Sequence, residues 1–250
     1  MNIRVSATVL ASIAAVLMAT ARPARAQDDG NGFRFQQPSG SFSFRGGFAM
    51  PDARSDLFTF TTSQLTLNRS DFNAVDFGAD LAFSLTPRLD LVLDVSHSEM
   101  TKGSEFRNFV DNLNQPIQQQ TGFKRTPITA NLRYYLTPRG RQVGRYAWVP
   151  SAVAPYVGAG VGEMYYEFTQ RGDFIDDSTL AVFPDAFHSG GWALMGQVLA
   201  GADWSLGSKW ALRTEARYLM SSATPGSDFS GFHRIDLSGV TSSLGFIVRF

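Results

Sequence analysis

Cysteine is absent from the 250-residue sequence, and histidine occurs only three times. Disulfide scaffolding and thiolate chemistry are thereby excluded, and histidine chemistry is confined to His97, His188 and His233. Neither sign of charge is in excess. Lys plus Arg number 22 and Asp plus Glu number 22, and charged residues make up 18% of the chain. A nucleic-acid binder would be more basic and a disordered tail more charged. Long apolar runs are also scarce, and the mean hydropathy of -0.09 lies far below that of a polytopic helical membrane protein. Glycine, with 23 residues, and phenylalanine, with 21, are what the chain has in quantity.

One apolar run does occur, over residues 5–20. It follows Arg4 and precedes the small-x-small triplet Ala24-Arg25-Ala26, the layout of a secretory signal peptide cleaved before Gln27. The run is shorter than the roughly 18 residues of a spanning helix, and no cysteine follows it to carry a lipid anchor. We assign residues 1–26 to the signal peptide, 27–39 to a short periplasmic lead and 40–250 to the folded domain. Cleavage removes Arg4, Arg22 and Arg25, leaving 19 basic residues against 22 acidic ones, so no nucleic-acid partner is expected.

In the remaining chain the hydrophobic period is two. Val240, Leu244, Phe246, Val248 and Phe250 alternate with Thr241, Ser243, Gly245, Ile247 and Arg249, as on a strand with one apolar and one polar face. The rhythm recurs near 41–50, 75–85, 89–96, 128–136, 156–168, 192–206 and 210–220. The fifth of these eight segments is hard to phase because Gly158, Gly160 and Gly162 remove the contrast, although Glu163 and Glu167 share a face. The segments reach about 10 residues, longer than the ~5–6 of soluble strands and close to the ~9–11 that cross a bilayer at a tilt. Long polar connections (51–71, 99–125, 169–189 and 221–234) alternate with tight turns at 86–88 and 207–209, the asymmetry of extracellular loops and periplasmic turns.

Aromatic spacing gives a second measure. Trp192 and Trp204 share a face 12 residues apart, which is roughly 40 Å of strand and about 30 Å of depth at a ~40° tilt. We read them as two interfacial girdles, with Trp210, Tyr134 and Phe250 in the periplasmic belt and Tyr166, Phe168 and Tyr218 in the outer one. Every strand edge must be paired in hydrocarbon, so the eight strands are expected to close. The expected fold is all-β, a closed antiparallel up-and-down eight-stranded transmembrane β-barrel.

The signal peptide, the eight amphipathic strands and the terminal Leu244-Gly245-Phe246-Ile247-Val248-Arg249-Phe250 resemble the small eight-stranded outer-membrane barrels of Gram-negative bacteria, the class of the OmpA transmembrane domain, OmpX and OmpW. The resemblance covers about 40–250. It implies residence in the cell outer membrane among its lipid and lipopolysaccharide, and a signal for the barrel-assembly machinery formed by Phe246, Val248 and Phe250. One departure is the connection 137–154, with Arg139, Arg141, Arg145, Trp148 and Pro150, which is too long for a periplasmic turn.

An eight-stranded barrel has an interior just wide enough for its own side chains. Arg45, Asp76, Asp80, Asp90, Asp94, Arg133, Glu163, Asp203, Arg213, Glu215, Arg217 and Arg249 are assigned to the inward face. Buried charges persist only when paired, so an ion-pair and water network filling the lumen is expected, with a structural or surface-interaction role. The alternative is a narrow porin-like channel or a binding barrel for small or hydrophobic solutes. Its candidate is the apolar first loop (Leu57, Phe58, Phe60, Leu65 and Leu67), for which packing above the membrane is the preferred explanation. Some barrels of the resembled class modify lipid A. A hydrolase of that kind would draw on Ser96, His97, Ser98 and Glu99, or on His188-Ser189, but neighbouring strand residues face opposite ways. A metal site would need the three histidines to converge with Asp176, Asp177 or Asp185. No catalytic residue, metal or cofactor is expected, and an extracellular ligand is left unnamed.

Overall fold

The computed structural model describes residues 33–144, 147–176 and 178–250; the signal-peptide assignment and residues 27–32 of the lead lie outside the described residues. The strands are β1 (Gly40–Pro51), β2 (Ala74–Ser84), β3 (Leu89–Val110), β4 (Pro116–Tyr135), β5 (Gly140–Val143), β6 (Ala147–Pro150), β7 (Val153–Ile175), β8 (Val182–Ser205), β9 (Trp210–Ala223), β10 (Ile235–Asp236) and β11 (Gly239–Arg249). Eight of them, β1 to β4, β7 to β9 and β11, pair antiparallel with their neighbours along the chain. The ring closes where β1 meets β11, from Ser41 opposite Arg249 to Pro51 opposite Gly239. Closure pairs the backbone polar groups that hydrocarbon would otherwise leave unsatisfied.

Two connections expected as loops are strands. Residues 99–125 and 169–189 continue the ladders of β3 with β4 and of β7 with β8. These four adjacent strands run for 20 to 24 residues, against 11 to 14 for the other four. They raise a wall on one side of the barrel. The sequence pattern missed them because the outward positions beyond the lipid, such as Glu99, Thr101 and Glu105, are polar and the apolar contrast disappears.

On the low side, two connections fold across the mouth against this wall. The first contains helix α1 (Asp56–Gln64) and a single 3-10 turn (Arg69–Phe72), and the second contains β10. Helix α1 is only 9 residues long and rich in Thr and Phe, so its own propensity is weak. It is held by the burial of Leu57, Phe58 and Thr61. Phe58 meets Phe72, Phe123 and Phe168 edge-on, with ring centroids 4.9, 5.3 and 5.5 Å away, and Phe229, Ile235 and Leu237 complete the same apolar core. The backbone N–H of His233 donates to the Asp56 carboxylate, and the imidazole lies 2.7 Å from the same oxygen. These contacts tie the two connections together and hold the Asp56 carboxyl below its ordinary range.

Leu57, Phe58, Leu65 and Leu67 are therefore fully buried and only Phe60 is half exposed, so the apolar first loop packs on itself and the wall. Tyr166 and Phe168, expected in the outer girdle, turn inward and join this cap. Their parity on β7 was obscured by the three glycines, which also point inward. A Cβ at Gly160 would collide with Asn131 Oδ1 and the Ala130 carbonyl. Gly160→Ala is accordingly expected to cost about 1–3 kcal/mol, measured as a lower urea midpoint in lipid vesicles. Gly207→Ala, where a Cβ meets nothing within 4 Å, should leave the midpoint unchanged.

Candidate functional site

The lumen at membrane depth is filled by four arginines and four carboxylates brought in from six strands. Arg45 on β1 grips Asp94 on β3 with both terminal nitrogens, at 2.5 and 2.8 Å. Arg217 on β9 grips the same carboxylate from another side, at 2.7 and 2.9 Å, and its Nε donates to Glu215. Arg213, also on β9, donates from Nε and Nη2 to Asp203 on β8 at 2.7 and 3.1 Å, and from Nη1 to Asp80 on β2 at 3.1 Å. Arg133 on β4 lies over the Tyr156 ring at 4.8 Å, with Nη2 3.6 Å from Glu215 and 3.9 Å from Asp80. Alternation on β9 aims 213, 215 and 217 inward together, so one strand supplies three of the eight charges. Hydroxyls complete the carboxylate shells: Ser43 donates to Asp80, Tyr135 to Asp203 at 2.8 Å and Tyr156 to Glu215 at 2.7 Å.

The other residues assigned to the network fall elsewhere. Asp90 points inward but pairs with Arg139 at 2.9 Å, a residue of the long connection. Arg249 points inward and donates to Ser205 Oγ (2.9 Å) and the Gly207 carbonyl rather than to a carboxylate. Asp76 is buried beneath the cap, where it lines a cavity of about 10 Å³ with Ser96, Ser98, Arg125 and Arg217, space for about one water. Glu163 is a correction: it faces outward between Ile128 and Leu194 and takes no part in the network. The wrong phase again comes from the inward glycines of β7. Uncharged side chains, Tyr135, Tyr156, Asn131 and Gln197, face inward beside the charges. Gln197 donates to Thr129 Oγ1 (3.0 Å) and Asn131 Oδ1 (2.5 Å) across the lumen.

The unusual connection after β4 closes the opposite mouth. Strands β5 and β6 form a separate hairpin, and Trp148 on it exchanges backbone hydrogen bonds with Arg34 at 2.9 and 2.7 Å. Arg34 also donates to the Arg249 carbonyl at 2.8 Å, so the described part of the lead is fastened to the barrel at this point. Arg139 donates to Ser84 Oγ (2.7 Å) and the Thr86 carbonyl (2.9 Å), with its guanidinium over Tyr135.

The exterior has the reverse character. Leu194, Val161, Leu244 and Phe77 are 80, 70, 69 and 66% exposed, which is unfavourable in water and favourable in lipid. Trp192, Trp204, Trp210, Tyr134 and Tyr218 all face outward. A row of His97, Thr126, Tyr165 and Trp192 crosses β3, β4, β7 and β8, with Thr126 opposite Tyr165 and Tyr165 opposite Trp192. The next row outward is charged, with Glu99 opposite Lys124 and Lys124 opposite Glu167. The next row inward is Val95, Ile128, Glu163 and Leu194. An apolar belt around a charged interior makes this a transmembrane barrel that crosses with strands; among the described residues no helix is long and apolar enough to do so.

The sheet brings His97 within 3.6 Å of Glu99 on its outward face but keeps the candidate serines away from their histidines. Ser96 and Ser98 face the lumen while His97 faces outward, and His188 faces outward while Ser189 faces in. His97 Nδ1 pairs with Thr126, and His233 with Asp56. Among the described residues no three His, Asp or Glu side chains are grouped to hold a metal ion.

No family model matches the chain, and no curated protein does. Solved structures similar to the chain include three that are each 13% identical to it. Neisserial surface protein A covers 88% of this chain and 98% of its own, with a TM-score of 0.48. The N-terminal β-barrel domain of Pseudomonas aeruginosa OprF covers 86 and 100%, with a TM-score of 0.40. Ail, the attachment invasion locus protein of Yersinia pestis, covers 86 and 100%, with a TM-score of 0.42.

Proposed function

We propose that the protein is a closed, non-conducting outer-membrane barrel that acts through its extracellular wall, in a structural or surface-interaction role. The observation that carries this reading is the lumen, obstructed at three depths: the apolar cap above, the Arg–carboxylate network at membrane depth and the β5–β6 hairpin below. A permeant ion would have to displace arginines that share their carboxylates, each already desolvated and paired, which costs several kcal/mol per ion. The wall formed by β3, β4, β7 and β8 is what the barrel presents to the exterior. A hydrolytic role is not proposed, because each serine and its candidate histidine lie on opposite faces of the sheet.

The assembly reading belongs to the same proposal. Phe246 and Val248 point outward on β11, the strand that closes the ring against β1, where a partner strand could meet them before closure. Purified full-length protein in planar bilayers is expected to give no stable conductance steps. Reproducible steps of porin size would overturn the closed-barrel reading.

A further inference from the structure

The charges on the two ends of the barrel are unequal. The end carrying the tight turns displays Arg34, Arg88, Arg139, Arg141 and Lys209, whereas the acidic side chains nearest it, Asp90 and Asp203, are buried and bound to Arg139 and Arg213. Among the described residues Arg88, Arg141 and Lys209 have no carboxylate within ion-pair distance, and their side chains make no hydrogen bonds. The opposite end is acidic, with Asp71, Glu99, Glu105, Asp111, Asp173 and Asp185 among its exposed or half-exposed side chains.

We propose that this basic rim is an interaction surface for the phosphate headgroups of anionic phospholipids in the periplasmic leaflet of the outer membrane. Three observations point to that partner. First, the rim lies at headgroup depth. Lys209 Nζ is 5.5 Å from the ring of Trp210 in the lower girdle, and the Arg88 carbonyl accepts the backbone N–H of Tyr135, next to the girdle residue Tyr134. Second, Arg88, Arg141 and Lys209 sit on three separate connections (86–88, 136–152 and 206–209) rather than converging on one point. That spacing fits an array of headgroups around the barrel and not a single captured phosphate ion. Third, the acids that could neutralise the rim are withdrawn into the lumen, so its charge is available to a surface. Each basic residue near an anionic bilayer contributes about 1 kcal/mol, equivalent to about fivefold in retention, and salt screens the attraction within about 10 Å at 0.1 M.

The inference rests on the orientation in which the tight turns face the periplasm, but not on whether the lumen conducts. Full-length protein in detergent would be offered equal amounts of phosphatidylglycerol and phosphatidylethanolamine, and the lipid retained would be read by native mass spectrometry. Phosphatidylglycerol is expected to be held preferentially, with retention about a hundredfold lower in the triple variant Arg88→Gln/Arg141→Gln/Lys209→Gln. The three side chains make no hydrogen bonds, so the variant should fold, as judged by an unchanged urea midpoint. A Lys102→Gln/Arg107→Gln control on the wall should retain the lipid. Equal retention by wild type and triple variant would overturn the proposal, as would displacement of the lipid by equimolar inorganic phosphate.

Discussion

Arg213→Ala is expected to lower the stability of the vesicle-reconstituted barrel by about 3–5 kcal/mol, read from the denaturant midpoint, because removing one partner of a buried ion pair leaves an uncompensated charge. Arg213 is 2% exposed and serves two carboxylates, Asp203 through a two-bond grip and Asp80 through Nη1. After the substitution Asp203 keeps only the Tyr135 hydroxyl among these donors. Asp80 keeps Ser43, with Arg45 and Arg133 at 3.8 and 3.9 Å. The double variant Arg213→Leu/Asp203→Leu should recover part of the loss, since it removes Arg213 together with the carboxylate it holds through two bonds and fills the space with apolar volume. A loss below about 1 kcal/mol for the single variant would mean that water reaches and solvates the orphaned carboxylates. The lumen would then be open at that depth, against the proposed function.

Phe58→Ala is expected to act on a different part of the molecule. The side chain is fully buried among Phe72, Phe123 and Phe168, and truncating such a phenylalanine costs about 3–5 kcal/mol. The cap lies outside the lipid, and the eight-stranded ladder beneath it is continuous without it, so the cost should appear as local opening rather than collapse of the barrel. A loss of that size raises the open population of the cap by two or more powers of ten. Trypsin cleavage after Arg54 and Arg69, on either side of the helix, should accelerate accordingly, while the bilayer remains non-conducting because the ion-pair network is intact. Phe60→Ala, at a side chain already 51% exposed, is the control and should change cleavage little. Unchanged cleavage in Phe58→Ala would remove the cap from the closed-barrel argument.

These two sites differ in how much of them the sequence disclosed. At membrane depth the lipid permits only apolar side chains outward, so alternation alone placed Arg45, Asp80, Asp94, Arg133, Asp203, Arg213, Glu215 and Arg217 inside. The exception, Glu163, follows three inward glycines that carry no polarity and so no phase. Above the lipid no such rule operates. Both faces of β3, β4, β7 and β8 tolerate polar residues there, and the strands were read as loops. The aromatic residues of the cap were visible as an apolar first loop, yet their partners on β4 and β7 lie roughly 50 to 110 residues further along the chain.

By itself, then, the sequence determined the eight strands of the ring and its antiparallel closure, because a bilayer imposes period two on any chain that crosses it in β form. Only the tertiary structure decided which arginine holds which carboxylate, that Arg139 and Trp148 fold beneath the barrel, and that Phe58 and Phe168 meet above it. Those contacts join residues far apart in the chain, and their partners are fixed by the curvature and register of the closed sheet, which local alternation does not encode.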